Sequence, residues 1–133
     1  PPPPPPPPPP TPTPPPPSGQ AVPPRPDKAT CKADTIKALD AAKISYRFGA
    51  WEYGGRGSFN AWPGGAPECA RKCQDDAQCF HWTFDCRKHR CSLFGEGGFE
   101  EDGDPQFQRD FIFLGDTTHY AEHLRRLGKA ADL

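Results

Sequence analysis

The sequence predicts an α+β fold: a small antiparallel sheet, stapled by disulfides to a packed helix and preceded by a polyproline II arm. Three observations carry this. Fifteen of the first seventeen residues are proline, and residues 1–26 hold eighteen of the chain's twenty-one prolines, one charge (Arg25) and no aromatic residue. Proline has no N–H to donate, so such a stretch forms neither a helix interior nor a central strand. All six cysteines and every Trp, Tyr and Phe fall after residue 26, with five cysteines crowded between Cys69 and Cys91. In that second part the patterns run helix, strands, helix, hairpin, strand, helix, without a G-x-G-x-x-G, a P-loop or a βαβ repeat, which is the order of an α+β domain. Residues 1–26 are read as an arm or linker and 27–133 as one domain with N- and C-terminal helices flanking its cysteine-rich centre.

The first helix is expected in "DKATCKADTIKALDAAKI", where Ile36, Leu39 and Lys43 or Ile44 recur on one side. Thr30 or Asp34–Thr35 is the expected cap. "SYRFGAWEYGGRGSF" reads as one or two short strands with a turn at Gly54–Gly55. "APECARKCQDD" is the second helix, with Pro67 suited to its first position and Glu68 to its first turn. Cys69 and Cys73, four apart, project from one face of it. "CFHWTFD" alternates, with Phe80, Trp82 and Phe84 on one side and Cys79, His81 and Thr83 on the other. That is the clearest strand in the chain, and the "CRKHR" turn leads back into "CSLF" as a hairpin. An acidic loop, "FEEDGDPQ", precedes a last strand around "RDFIFLG", and "TTHYAEHLRRLGKAA" closes as an amphipathic helix with Tyr120, Leu124 and Leu127 on one face.

Net charge is −1, so general electrostatics make no case for nucleic acid or an anionic membrane as partner. No apolar run approaches the roughly 20 residues of a membrane span. The chain starts on Pro1 and holds no methionine, so it reads as a processed chain or a fragment. Six cysteines with the spacing C-x3-C-x5-C-x6-C-x4-C after Cys69 contain no C-x-x-C pair. This favours an oxidised framework in a secreted protein over a zinc site. No cofactor is expected.

The segment "ECARKCQDDAQCFHWTFDCRKHRCSLF" resembles the PAN/apple domain, a secreted cysteine-rich module. The residues that carry the likeness are Cys69 and Cys73 on the helix, Cys79 after it, the aromatic strand Phe80-His81-Trp82-Thr83-Phe84, and Cys91-Ser92-Leu93. The upstream "WEYGGRGSFNAW" is similar to that family's aromatic and glycine segment, so the likeness spans about residues 46 to 115. It implies a helix packed on a curved antiparallel sheet, and two bridges, Cys73–Cys79 and Cys69–Cys91. This chain departs from the apple pattern twice: Cys86 is extra, and no cysteine follows Cys91 to join the two ends. Cys31 and Cys86, which the resemblance leaves over, are expected to pair. Members of the family bind proteins or carbohydrate and share no catalytic residues, so the likeness implies a binding or assembly module and no enzyme.

Three local features carry other possible chemistry. "HYAEH", His119 to His123, spells the H-x-x-E-H zinc string, and on a helix His119 and His123 share a face with Glu122 nearby. With ten residues after it and no catalytic surroundings, it reads as a solvated polar face. Glu100, Glu101, Asp102 and Asp104 lack the ligand rhythm and closing Glu of an EF-hand loop and read as a solvated acidic loop. Arg87 to Arg90 reads as an exposed hairpin tip, with a head-to-tail contact between this basic turn and the acidic loop of another copy as the sharper alternative. Trp82 reads as core, and Trp51 and Trp62 are the candidate ligand contacts.

A polyproline II helix rises about 3.1 Å per residue, so the first seventeen residues would extend roughly 50 Å. The stretch resembles the hydroxyproline-rich glycoproteins of plant and green-algal walls and appendages. The likeness implies hydroxylation or O-linked sugar at Pro1, Pro2, Pro3, Pro4, Pro5, Pro6, Pro7, Pro8, Pro9, Pro10, Thr11, Pro12, Thr13, Pro14, Pro15, Pro16, Pro17 and Ser18. Together the two resemblances imply an extracellular structural glycoprotein of a cell wall, surface or appendage. Its expected partners are further copies or related fibre subunits and covalent O-linked glycans. The alternative is a secreted carbohydrate- or protein-binding adhesin with the arm as spacer.

Overall fold

The computed structural model describes residues 1–8 and 23–131, with side chains described as far as Gly128. Pro1 to Pro8 are exposed and carry neither helix nor strand. Pro9 to Ser18, ten of the residues for which modification was expected, lie outside the described residues.

The cysteine-rich body begins with α1 (Lys28–Ala41). Its cap is Asp27, which accepts from the Thr30 N–H at 2.7 Å and is held below the usual carboxylate range chiefly by that backbone hydrogen bond. Thr30 and Asp34, the expected caps, sit inside the helix. Asp27 is extended (φ −65°, ψ 169°), and an extended residue is what an N-cap requires. Asp27→Ala is expected to fray the first turn, visible as faster amide exchange at Thr30 and Cys31. The buried side of α1 is Cys31, Thr35 and Leu39, with Ile36 and Ile44 packed at its margin.

Six strands follow: β1 (Arg47–Glu52), β2 (Gly55–Asn60), β3 (His81–Asp85), β4 (Arg90–Phe94), β5 (Phe99–Asp102) and β6 (Ile112–Asp116). They form one sheet in the order β2-β4-β3-β6-β1-β5, every neighbouring pair antiparallel. The turn through Tyr53 and Gly54 therefore joins no hairpin. It sends β1 and β2 to separate parts of the sheet, β2 to one edge beside β4 and β1 between β6 and β5. α2 (Gly65–Asp75) packs on one face and α3 (Thr118–Ala131) follows β6. The structure is α+β.

The stripe Ala66, Cys69, Ala70 and Cys73 is the side of α2 that faces β3. Opposite it stand Trp82 and Phe84 of β3, Cys91 of β4 and Phe113 of β6, all essentially unexposed. Cross-strand register aligns Phe84 with both Cys91 and Phe113, so these side chains share one face. Three disulfides fasten the helices to this layer: Cys31–Cys86, Cys69–Cys91 and Cys73–Cys79, with Cα separations of 5.6, 5.5 and 5.1 Å.

Two sequence readings change here. "FEED" reads as loop in the sequence and is β5, paired with β1 from Gly49↔Asp102 to Glu52↔Phe99. Arg47 binds Glu100 and Arg109 binds Glu101, so cations from other segments neutralise an acidic edge strand. The alternation holds from His81 to Phe84, with both sides covered: His81 and Thr83 are buried along with Trp82 and Phe84. Phe80, expected on the side of Trp82, precedes β3 and instead packs with Tyr120 and His123 on the side of His81.

Candidate binding site

His81 and Asp116 project from the sheet face opposite Trp82, since successive strand residues alternate. There the His81 Nδ1–H donates to Asp116 Oδ1 at 2.7 Å. Arg47 donates to Asp116 at 3.1 Å and to Glu100 at 2.9 Å, which completes a row Glu100–Arg47–Asp116–His81 across four strands. The Glu100 hydrogen bonds, with Asp116 adding to them, push the Arg47 guanidinium up, so it remains a cation throughout. Burial pushes Asp116 up, but hydrogen bonds from His81 and Arg47 outweigh it and hold the carboxyl below its ordinary value. Its contribution to stability is therefore present above about pH 4 and fades as pH falls below that. Asp116→Asn is expected to lower the melting temperature clearly at pH 6, with the gap to the wild type narrowing by pH 3. An equal gap at both pH values would refute this.

The His81 ring is stacked by Trp51 at 3.7 Å and met edge-on by Tyr120 of α3 at 4.2 Å. Phe80 extends the aromatic row to His123 at 4.9 Å. Trp51 is half-buried and its indole N–H donates to the Gly97 carbonyl at 3.1 Å. The loop can pass this close because Gly98 holds φ +81°, and a Cβ there would run into the Trp51 indole nitrogen and the Glu52 carbonyl. Trp51, Phe80, His81, the Gly95–Gly98 loop and Tyr120, Leu124 and Leu127 together line a cleft of about 190 Å³. Its rim is apolar and open: Leu124 is 48% and Leu127 53% exposed, and beyond Trp51 the Tyr53 and Phe99 rings, 5.8 Å apart, are also exposed. The apolar face of α3 thus lies only partly on the sheet, through Tyr120, and otherwise borders this cleft.

A second cleft, about 570 Å³ and polar, adjoins it between α3, Arg56 and Glu96. The two histidines of the H-x-x-E-H string diverge there. His119 Nε2 donates to the Gln74 carbonyl at 2.7 Å, and His123 leans on Phe80 with Glu96 3.9 Å away. Among the described residues no group of three or more His, Cys, Asp or Glu side chains is placed to hold a metal ion. In the acidic loop Glu100 and Glu101 are paired with arginines, and Asp104 accepts from the Gln106 N–H at 2.9 Å.

Trp62 lies elsewhere, at the junction of the arm with the body. Its indole N–H donates to the Pro23 carbonyl at 2.6 Å, and its ring meets His89 edge-on at 5.0 Å. The basic turn is less open than its composition suggests. Arg87 pairs with Asp85, Arg90 donates to Ser58, and His89 turns inward at φ +51° to only 3% exposure. Burial, with Arg25 nearby, pushes the His89 imidazole down, so it stays neutral in the fold. Its contribution holds above about pH 6.5 and is lost as pH falls towards the lowered value. His89→Asn, a residue that tolerates positive φ, is expected to flatten the decline in melting temperature between pH 7 and pH 5.

Residues 63–122 match the family model of the PAN domain. The match starts at Pro63, just before α2, and runs through β3, β4, β5 and β6 into α3. It omits the β1–β2 region, which the resemblance in the sequence takes in from about residue 46. No curated protein and no solved structure matches the chain. PAN domains are typically non-catalytic binding modules for protein or carbohydrate, and together with three disulfides the match points to an extracellular or secreted protein. Among the described residues no helix is long and apolar enough to cross a membrane.

Proposed function

We propose that the chain is an extracellular structural glycoprotein, a repeating subunit of a fibre or surface appendage. Residues 27–133 act as a PAN-like head that contacts protein or glycan, and residues 1–26 act as a polyproline II strut, hydroxylated and O-glycosylated. The head works by binding and carries out no reaction. The observation behind this reading is the junction itself. A stretch of fifteen prolines in seventeen residues, with no capacity to form a core, runs into a body closed by three disulfides. Prolines that cannot pack are suited to spanning distance, and a stapled head tolerates an exposed setting.

The test is intact mass and glycopeptide sequencing of residues 1–20 from native material. Sugar at several prolines is the expected result, and unmodified prolines would overturn the strut. A secreted adhesin is the second reading, and the open apolar rim around Trp51, Leu124 and Leu127 favours it. On that reading the protein is monomeric, and Trp51→Ala abolishes glycan or protein capture while the fold persists.

A further inference from the structure

The arm meets the head in a cleft made for its own chemistry. A proline-rich segment offers no backbone N–H, only carbonyl acceptors and flat apolar rings, so whatever holds it must supply N–H donors beside apolar shelves. The Trp62 wall does both. Its indole N–H takes the Pro23 carbonyl at 2.6 Å, and Arg25 donates to the Lys88 carbonyl at 3.4 Å. Below that stem a cleft of about 120 Å³ opens between α1 and the segment from Trp62 into the first turn of α2, walled by Pro26, Trp62, Pro63, Pro67 and Phe84. His89 forms part of the same lining. It is 97% buried by its 3% exposure, and its Nε2 has no hydrogen-bond partner. A buried polar nitrogen left unpaired is destabilising, and it marks where an acceptor is missing.

We propose that this cleft is a polyproline seat, capped by the chain's own stem when alone and entered by the proline arm of a second copy when chains assemble. The exchange sets a ring-rich segment against Trp62 and lets His89 Nε2–H donate to a prolyl carbonyl that the stem does not supply. The match of ligand to seat lies within the one sequence: fifteen of the first seventeen residues are prolines, whereas the stem interrupts its prolines with Arg25. The inference rests on the reading of the arm as a contact-making strut.

The experiment adds an unmodified synthetic peptide of residues 1–17 to the full chain and follows the three indole N–H resonances by NMR. The Trp62 resonance is expected to shift saturably while those of Trp51 and Trp82 stay put and report an intact fold. Trp62→Phe, which keeps a ring and loses the N–H, should weaken peptide binding about tenfold. Arg25→Ala, which loosens the competing stem, should strengthen it severalfold. Sedimentation should show concentration-dependent self-association that excess peptide reverses. A silent Trp62 resonance, a shift confined to Trp51, or a chain that stays monomeric at every concentration would each overturn the proposal. The glycopeptide result is independent. Unmodified native prolines would remove the glycosylated strut and leave this seat standing, whereas absent peptide binding beside a glycosylated arm would do the reverse.

Discussion

Replacing Cys31 and Cys86 together by alanine is expected to cost about 4 kcal/mol of stability, the largest loss of the three bridges. The reason lies in the unfolded chain. This disulfide closes a loop with a sequence separation of 55, against 22 for Cys69–Cys91 and 6 for Cys73–Cys79. Closure entropy grows with the logarithm of loop length, so the shorter loops correspond to about 3 and about 2 kcal/mol. The bridge also has little help in holding α1. Leu39 is fully buried, but Ile36 and Ile44 are only half-covered and the Lys32–Asp110 pair is a 3.7 Å contact between partly exposed groups. Lys32 lies over the Phe48 and Phe111 rings at 4.7 and 5.2 Å, which is a modest contribution at the surface. Without the bridge, α1 should exchange its amides at a lower free energy than the sheet, and the melting temperature should fall by more than 10 °C. A loss below about 1 kcal/mol, or α1 and sheet exchanging together, would contradict this.

What was legible in the sequence was local and periodic. The Ala66, Cys69, Ala70 and Cys73 stripe and the Trp82, Phe84 alternation each repeat within one element, and periodicity alone assigns their inner face. What was hidden depended on segments far away in the chain. His81 reads only as the side of β3 opposite Trp82, and it is buried because α3, much later in sequence, lays Tyr120 over it and β1 lays Trp51. β5 reads as loop because four acidic residues near a glycine carry no strand signal, and it pairs because Arg47 and Arg109 arrive from elsewhere. His89 reads as part of a basic tip, and only its positive φ and the Trp62 ring turn it inward. The candidate site follows the same division. Trp51 and Trp62 could be singled out by residue type and flanking glycines or proline. The cleft that Leu124 and Leu127 complete around Trp51 could not, since those leucines read as the packed face of a helix and are half-exposed.

Trp82→Ala is expected to cost about 3–5 kcal/mol, and its partner across the sheet makes that figure testable in a way a single variant does not. Trp82 is 1% exposed at the centre of β3, and register places Gly115 of β6 directly opposite. The indole lies over that glycine so closely that a Cβ at position 115 would overlap three ring atoms of Trp82. Gly115 has no positive φ and its backbone suits any residue, so the glycine is there for the ring and for no other reason. Gly115→Ala alone should therefore destabilise by about 1–3 kcal/mol through overpacking. In a Trp82→Ala background the same substitution meets open space, and its cost should fall to about zero or turn slightly favourable as the methyl fills part of the cavity. The double-mutant cycle is thus expected to give a coupling energy of about 1–3 kcal/mol, read from chemical denaturation of the four proteins with the disulfides intact. Additivity within about 0.5 kcal/mol would mean that the ring moves aside for the methyl, and Trp82 would then be a large core residue with no fixed seat. Strong coupling would mean that the sheet is shaped around this one side chain, with α2 and its two bridges closing over it.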